Sequence, residues 1–141
     1  MLIKILGRGD EAVLTHLAQG VFDHAVDHDR SVEFLNDSRH HLAVAIEAGS
    51  VVGFASAVHY VHPDKSPELW INEVGVAPTH RGQGLAAKLL QALFKVGRGV
   101  GCTEAWVLTD RSNAAAMRLY ASLGGSEAPK DQVMFTFPLA P

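Results

Sequence analysis

Residues 69–90 read LWINEVGVAPTHRGQGLAAKLL, from Leu69 to Leu90. The first part is apolar and β-branched and reads as a strand from Leu69 to Val76. A single carboxylate, Glu73, sits in its middle, and Pro78 ends it. Thr79 to Gly84 is a polar turn. Leu85, Leu89 and Leu93 then recur at i+4 with Ala86 and Leu90 beside them, and Lys88, Gln91, Lys95 and Arg98 form the opposite stripe, which is an amphipathic helix. A strand that runs through a Gly-rich turn into a helix N-terminus is an anion site, because the first helical N–H groups have no partner inside the helix. Gly82 and Gly84 let the backbone approach a ligand. No Gly-Lys-Ser/Thr follows, and GxGxxG is absent, so this is neither a nucleotide P-loop nor a dinucleotide fingerprint.

Working outward, 141 residues suffice for one domain with a real core. Apolar residues make up 48% and charged residues 19%, in the ordinary range for a globular chain. There is no apolar run of membrane-spanning length. The start, MLIKILGRGDEA, lacks a long apolar region and reads as a first strand, not a signal peptide. The lone Cys102 excludes an internal disulfide and suits a reducing, cytoplasmic setting. Residues 1–80 carry 11 acids against 5 Lys/Arg, and residues 81–141 carry 4 acids against 7 Lys/Arg. The positive balance thus falls on the half with the anion turn, and the acidic half suits a cationic acceptor. A net charge of −3 and the absence of a basic run disfavour nucleic acid.

Leu2–Leu6 reads as a strand. A helix is expected from Gly9 or Asp10 through about Gln19, closed by Gly20. The acidic stretch 21–39 follows, with a short helix starting at Asp29 or Ser31 and running to Leu35, Val32 and Leu35 inward. His24 and His28 have helical metal-ligand spacing, but no third ligand is fixed, so a solvated loop without metal is the reading taken. Residues 41–46 and 51–61 are strands joined by Glu47-Ala48-Gly49-Ser50, a hairpin signal. A proline-punctuated loop, 62–67, leads to the central strand. Thr103–Leu108 is the next strand, parallel to the central one through the helical crossover. A second helix spans Asn113 to Leu123 and stops at Gly124-Gly125. Residues 132–137 alternate apolar and polar and read as a last strand.

The string Arg81-Gly82-Gln83-Gly84-Leu85-Ala86, R-x-x-G-x-A after Val74-Gly75-Val76-Ala77-Pro78, resembles the pyrophosphate motif of the GNAT superfamily of N-acetyltransferases. The resemblance implies an α/β (α+β) GNAT fold: a single mixed, mostly antiparallel sheet with a central parallel strand pair and helices on both faces. It implies acetyl-CoA as co-substrate, held by Val74, Gly75, Val76, Arg81, Gly82, Gln83, Gly84, Leu85 and Ala86. A backbone N–H of the central strand, from Val74 or Val76, would hold the acetyl carbonyl. Asn113 would bond the pantetheine or phosphate region, cap its helix, or both. Glu73 is the candidate base, directly or through water, or a counter-charge for the amine. An otherwise apolar strand is expected to strengthen it as a base by burial. Tyr120 matches the tyrosine that protonates the departing sulfur in related enzymes. Cys102 lies away from any acid–base partner and is not read as a nucleophile.

The string from the His62-Pro63 loop through Glu73 to His80-Arg81-x-x-Gly84, with Leu119-Tyr120 and Leu123-Gly124, is similar to small bacterial aminoglycoside 3-N-acetyltransferases. Glu73 stands where that group tends to carry aspartate. The resemblance implies a cationic small-molecule amine as acceptor, an aminoglycoside antibiotic acetylated at its 3-amine, with Asp23, Asp27, Glu33, Asp64 and Glu73 around it, and a homodimer. Another small amine or polyamine, a protein amine, and a non-catalytic acyl-CoA sensor are the alternatives; the sensor would go with loss of the Gly turn, Glu73 or Tyr120, all of which are present.

Overall fold

The hairpin 40–60 lies in the middle of the sheet. Its arms are β2 (His40–Glu47) and β3 (Ser50–Tyr60), paired antiparallel from His40 opposite Val58 to Glu47 opposite Ser50. The two-residue turn has positive φ at both positions, Ala48 at 50° and Gly49 at 78°, the backbone twist that tight hairpins need. The computed structural model describes residues 1–140. β1 (Leu2–Leu6) flanks β2, and β4 (Glu68–Val76) flanks β3, both antiparallel. β5 (Ala105–Val107) adds to β4 in parallel, giving the order β1-β2-β3-β4-β5. With α1 (His28–Asn36), α2 (Leu85–Gly99) and α3 (Ala114–Ser122), this is the expected mixed sheet with a parallel pair at its centre-to-edge step.

Small residues decide where α2 sits. Ala43, Ala45, Gly53, Ala55 and Ala57 line one face of β2 and β3 by strand alternation. A Cβ on Gly53 would stand 3.3 Å from Leu89, and one on Gly97 would stand 3.0 Å from Leu69. Helix and sheet therefore meet at backbone distance, and Leu85, Leu89, Leu90 and Leu93 fill what remains, all buried. Each such leucine contributes about 2 kcal/mol. The opposite sheet face carries Phe54, Ser56 and Tyr60 of β3 and Glu68, Trp70, Glu73 and Gly75 of β4. Between them the register slips: Ser56 faces Glu73 but Ala57 faces Ile71, so β4 holds one extra residue there, Asn72.

The described residues form two compact units, Met1–Thr109 and a second that begins at Asp110. In the second, Asn113 caps α3 by accepting the Ala116 N–H at 3.1 Å. Gly124 at φ 87° closes it, with the Gly125 N–H on the Tyr120 carbonyl at 2.9 Å.

Three sequence expectations are corrected. The helix to Gln19 is only a short 3₁₀ turn, Glu11–Thr15, because the next residues pair as a strand: Val51 N–H donates to His16 O and Ala18 N–H to Val51 O. α1 begins earlier than expected, since Asp27 and not Asp29 or Ser31 is its cap, accepting the Arg30 N–H at 2.9 Å; His28 opens the helix while His24 lies outside it. Residues 132–137 form no strand. They pair with nothing in the sheet, and Val133 and Phe135 are 76% and 77% exposed.

One part-buried histidine pair is expected to make the fold acid-sensitive. His41, 8% exposed, shares a 2.7 Å hydrogen bond between its Nε2 and His59 Nδ1. Burial first, then the His59 and His40 rings, push His41 from 6.5 down to about 4. Between those values the unfolded chain takes a proton that the folded chain refuses, so stability is lost as pH falls from 6.5 towards 4. The expected loss is on the order of 3 kcal/mol. Urea unfolding at pH 7 and pH 4.5 reads it, and His41→Leu should flatten the slope; an unchanged slope would place the acid sensitivity elsewhere.

Candidate active site

β4 outruns its parallel neighbour. β5 pairs only from Leu69 opposite Ala105 to Ile71 opposite Val107, while β4 continues to Val76. Residues 72–76 thus have an edge that no strand covers. Strand alternation says which groups point there. Ala77 N–H donates to Val52 O on β3 at 2.8 Å, so Gly75 also faces β3, and Val76 and Val74 face away. Val76 O is consistent with this, accepting from Arg81 Nε at 3.3 Å. The uncovered edge therefore offers two N–H donors, from Val74 and Val76.

The turn beyond it is built for an anion. Gly82 and Gly84 sit at φ 75° and 76°, with open space where a Cβ would be. Gly84 is the N-cap of α2 and supplies no side-chain cap, so the N–H groups of Leu85 and Ala86 begin a 15-residue helix without side-chain partners. Arg81, Gln83 and both glycines are exposed. These residues fit a pyrophosphate through backbone donors, a helix end and one guanidinium. His80 behind them is held by Glu47 and by Thr79 Oγ1 at 2.8 Å.

Glu73 lies on the face opposite α2 and is exposed, contrary to the burial expected from its apolar strand. The extra residue at this point lets Asn72 and Glu73 both leave the core between the buried Ile71 and the half-buried Val74. The backbone at 21–22, at the start of the acidic stretch expected around the acceptor, roofs this face, through Phe22, which the sequence reading did not single out. Phe22 stacks on Phe54 with centroids 3.9 Å apart, and a Cβ on Gly75 would fall 2.4 Å from Val21 O. Gly75 is thus required by the close passage of the 21–22 backbone. A phenylalanine inside a polar, acidic stretch was the available signal. Asp23 follows directly on Phe22 and is exposed; Asp27 is spent on the α1 cap; Glu33 and Asp64 are exposed, and no described hydrogen bond or ion pair joins them to Glu73.

Tyr120 and Asn113 belong to the second unit. Burial pushes the Tyr120 phenol above its ordinary value. Asn113 Oδ1 serves the helix cap. Burial and the Glu68 carboxylate push the Cys102 thiol up, the reverse of nucleophile activation. Among the described residues no three His, Cys, Asp or Glu side chains converge as metal ligands, and no helix is long and apolar enough to cross a membrane.

The family model described as Acetyltransferase (GNAT) family matches residues 12–124. An aminoglycoside N(6′)-acetyltransferase type 1 of Salmonella typhimurium is 31% identical over 96 residues, 64% of this chain and 66% of that protein. An L-methionine sulfoximine/L-methionine sulfone acetyltransferase of Salmonella typhimurium is 32% identical over 139 residues, 88% of this chain and 79% of that protein. The crystal structure of an aminoglycoside acetyltransferase from an uncultured soil metagenomic sample superposes with a TM-score of 0.84 at 20% identity, over 99% of this chain and 96% of that one. The chain spans between a third and two thirds of the length of the first curated relatives it matches. The uncovered β4 edge, the glycine turn at the start of α2 and the matched span of 113 residues (12–124) together make this chain a member of the GNAT acetyltransferase family.

Proposed function

We propose that the chain, acting as one domain, transfers an acetyl group from acetyl-CoA to a primary amine of a small cationic acceptor of the aminoglycoside type. The observation that carries this is the uncovered β4 edge: two aligned N–H donors, between the anion turn and an exposed carboxylate. In this reading the turn 81–86 takes the pyrophosphate. Val76, nearer the turn, pairs with an amide of the pantetheine arm, and Val74, nearer Glu73, donates to the thioester carbonyl. Glu73 takes a proton from the bound ammonium, directly or through a water. The free amine attacks the carbonyl carbon, the C–S bond breaks as the tetrahedral intermediate collapses, the Tyr120 hydroxyl protonates the leaving thiolate, and the second proton of the attacking nitrogen passes through water to restore that hydroxyl. No covalent enzyme intermediate is needed, in keeping with a Cys102 thiol that is not activated.

The acidic balance of residues 1–80 supports a cationic acceptor. Sequence resemblance favours the 3-amine, whereas the Salmonella relative is named for the 6′ position. The broad match to an amino-acid sulfoximine acetyltransferase favours, as a second reading, a small amino-acid amine. A thiol-release assay with acetyl-CoA against gentamicin-type and kanamycin-type aminoglycosides, methionine sulfoximine, spermidine and a lysine peptide separates these. Aminoglycoside turnover is the expected result, and product NMR gives the nitrogen. Turnover on the amino acid alone would replace the acceptor, and acetyl-CoA binding without any turnover would leave a sensor. A homodimer belongs to the proposal, because a second copy would cover the exposed apolar side chains Val133 to Leu139; a monomer in sedimentation equilibrium would remove it.

A further inference from the structure

The period of β4 puts Leu69 and Ile71 into the core and Trp70 outward. Trp70 lies between β3 and β5, an interior position of the sheet, yet is 36% exposed. It is held in place from the side. Trp106 stands opposite it on β5, and the two indoles stack with centroids 4.8 Å apart and planes within 12°. Trp106 Nε1 donates to Tyr60 Oη at 3.0 Å. Tyr60 meets the His62 ring edge-to-face at 5.1 Å, and His62 Nε2 is 2.8 Å from Glu68 Oε2. Glu68 faces Tyr60 across the β3–β4 ladder. The hydrogen bond from His62, then that from Tyr60, holds the Glu68 carboxyl below the usual carboxylate range, so it is ionised at neutral pH. The result is a rigid aromatic shelf with an anion at its rim and every indole and phenol polar atom but that of Trp70 internally engaged.

This shelf and Glu73 share one face of one strand. The ladder partners of Trp70 and Glu73, Val58 and Ser56, are two residues apart, so the bulge at Asn72 leaves about 7 Å of rise between them, of the order of the offset between adjacent rings of a linked pair of pyranoses. A flat apolar surface beside a carboxylate is complementary to a ring that has C–H faces and a protonated amine: the ring stacks on the indole and the ammonium meets the carboxylate.

We propose that the Trp70–Trp106 shelf, with Glu68, is a second acceptor subsite that binds an amino-sugar ring distal to the one carrying the reacting amine. The proposal rests on the amine-acceptor reading above, and the test keeps the two apart. Wild type, Trp70→Phe, Trp70→Ala and Glu68→Gln are compared on a three-ring aminoglycoside and on a single-ring amine, glucosamine. For the three-ring acceptor Trp70→Ala should raise KM about tenfold, Trp70→Phe should recover most of that loss, and Glu68→Gln should also raise KM. For glucosamine, and for acetyl-CoA, KM should be unchanged in all variants, with kcat on either acceptor altered less than twofold. Urea midpoints check that the shelf variants remain folded. Equal effects on both acceptors, or an unchanged three-ring KM, would overturn the subsite while leaving the acetyltransfer reading intact. Absence of wild-type turnover on either amine would instead sink the acceptor reading, and equilibrium titration of the three-ring compound against Trp70→Ala then decides the subsite alone: unchanged affinity overturns it.

Discussion

Glu73→Gln is expected to lower kcat by about 10²–10⁴-fold, the usual contribution of a positioned general base, and to leave acetyl-CoA affinity close to wild type. Glutamine keeps the shape and loses both the proton acceptor and the charge. Glu73 is exposed on the face opposite α2, and its partner across the ladder is Ser56, so nothing in the core depends on its charge. Stability should move by no more than about 0.5 kcal/mol. The kinetic split separates the two roles open to this carboxylate. A base is lost from kcat, whereas a counter-charge that only holds the ammonium is lost from the acceptor KM. Equal losses in turnover and acetyl-CoA affinity would remove Glu73 from the chemistry and point to a disturbed β4.

How far an element is legible in the sequence tracks how local its determinants are. The strand, turn and helix at 69–99 were legible because their determinants lie within the segment: Pro78 stops a strand, two glycines at positive φ make the turn, and leucines at i+4 make α2. The misread elements depend on partners far away in the chain. Leu17 and Ala18 look helical until Val51 offers them a strand to pair with. The alternation of 132–137 is as regular as that of a true strand, but a strand exists only where a ladder accepts it, and none does here. The slip at Asn72, which turns Glu73 to solvent, is set by the register with β3 and leaves no mark in β4 itself. Glycines are instructive in the same way. Gly82 and Gly84 were legible as turn residues, whereas Gly75 is needed because Val21 O passes over it, a contact that 53 residues of intervening chain conceal.

The same uncovered edge gives the second large effect. Val74→Pro should reduce kcat by about 10²–10³-fold, the cost of removing one oxyanion donor, while the fold survives. Proline inside a sheet normally breaks a ladder bond. At position 74 it breaks none, because the Ala77 N–H on Val52 O fixes the alternation and turns the Val74 N–H away from β3, and β5 ends at Val107, opposite Ile71. The extended backbone that proline imposes on its predecessor is one that Glu73 already has as a strand residue. Val74→Ala is the control: it trims the half-buried side chain, keeps the N–H and should stay within a few-fold of wild type. Replacing the Val74 amide by a backbone ester removes the same N–H without a ring, so a loss shared by proline and ester but not alanine isolates the hydrogen bond. Loss of activity in all three would assign the effect to packing of β4 instead. Full activity in the ester variant would move the carbonyl from Val74 to the other donor on this edge, Val76, where the same pair of substitutions can be repeated.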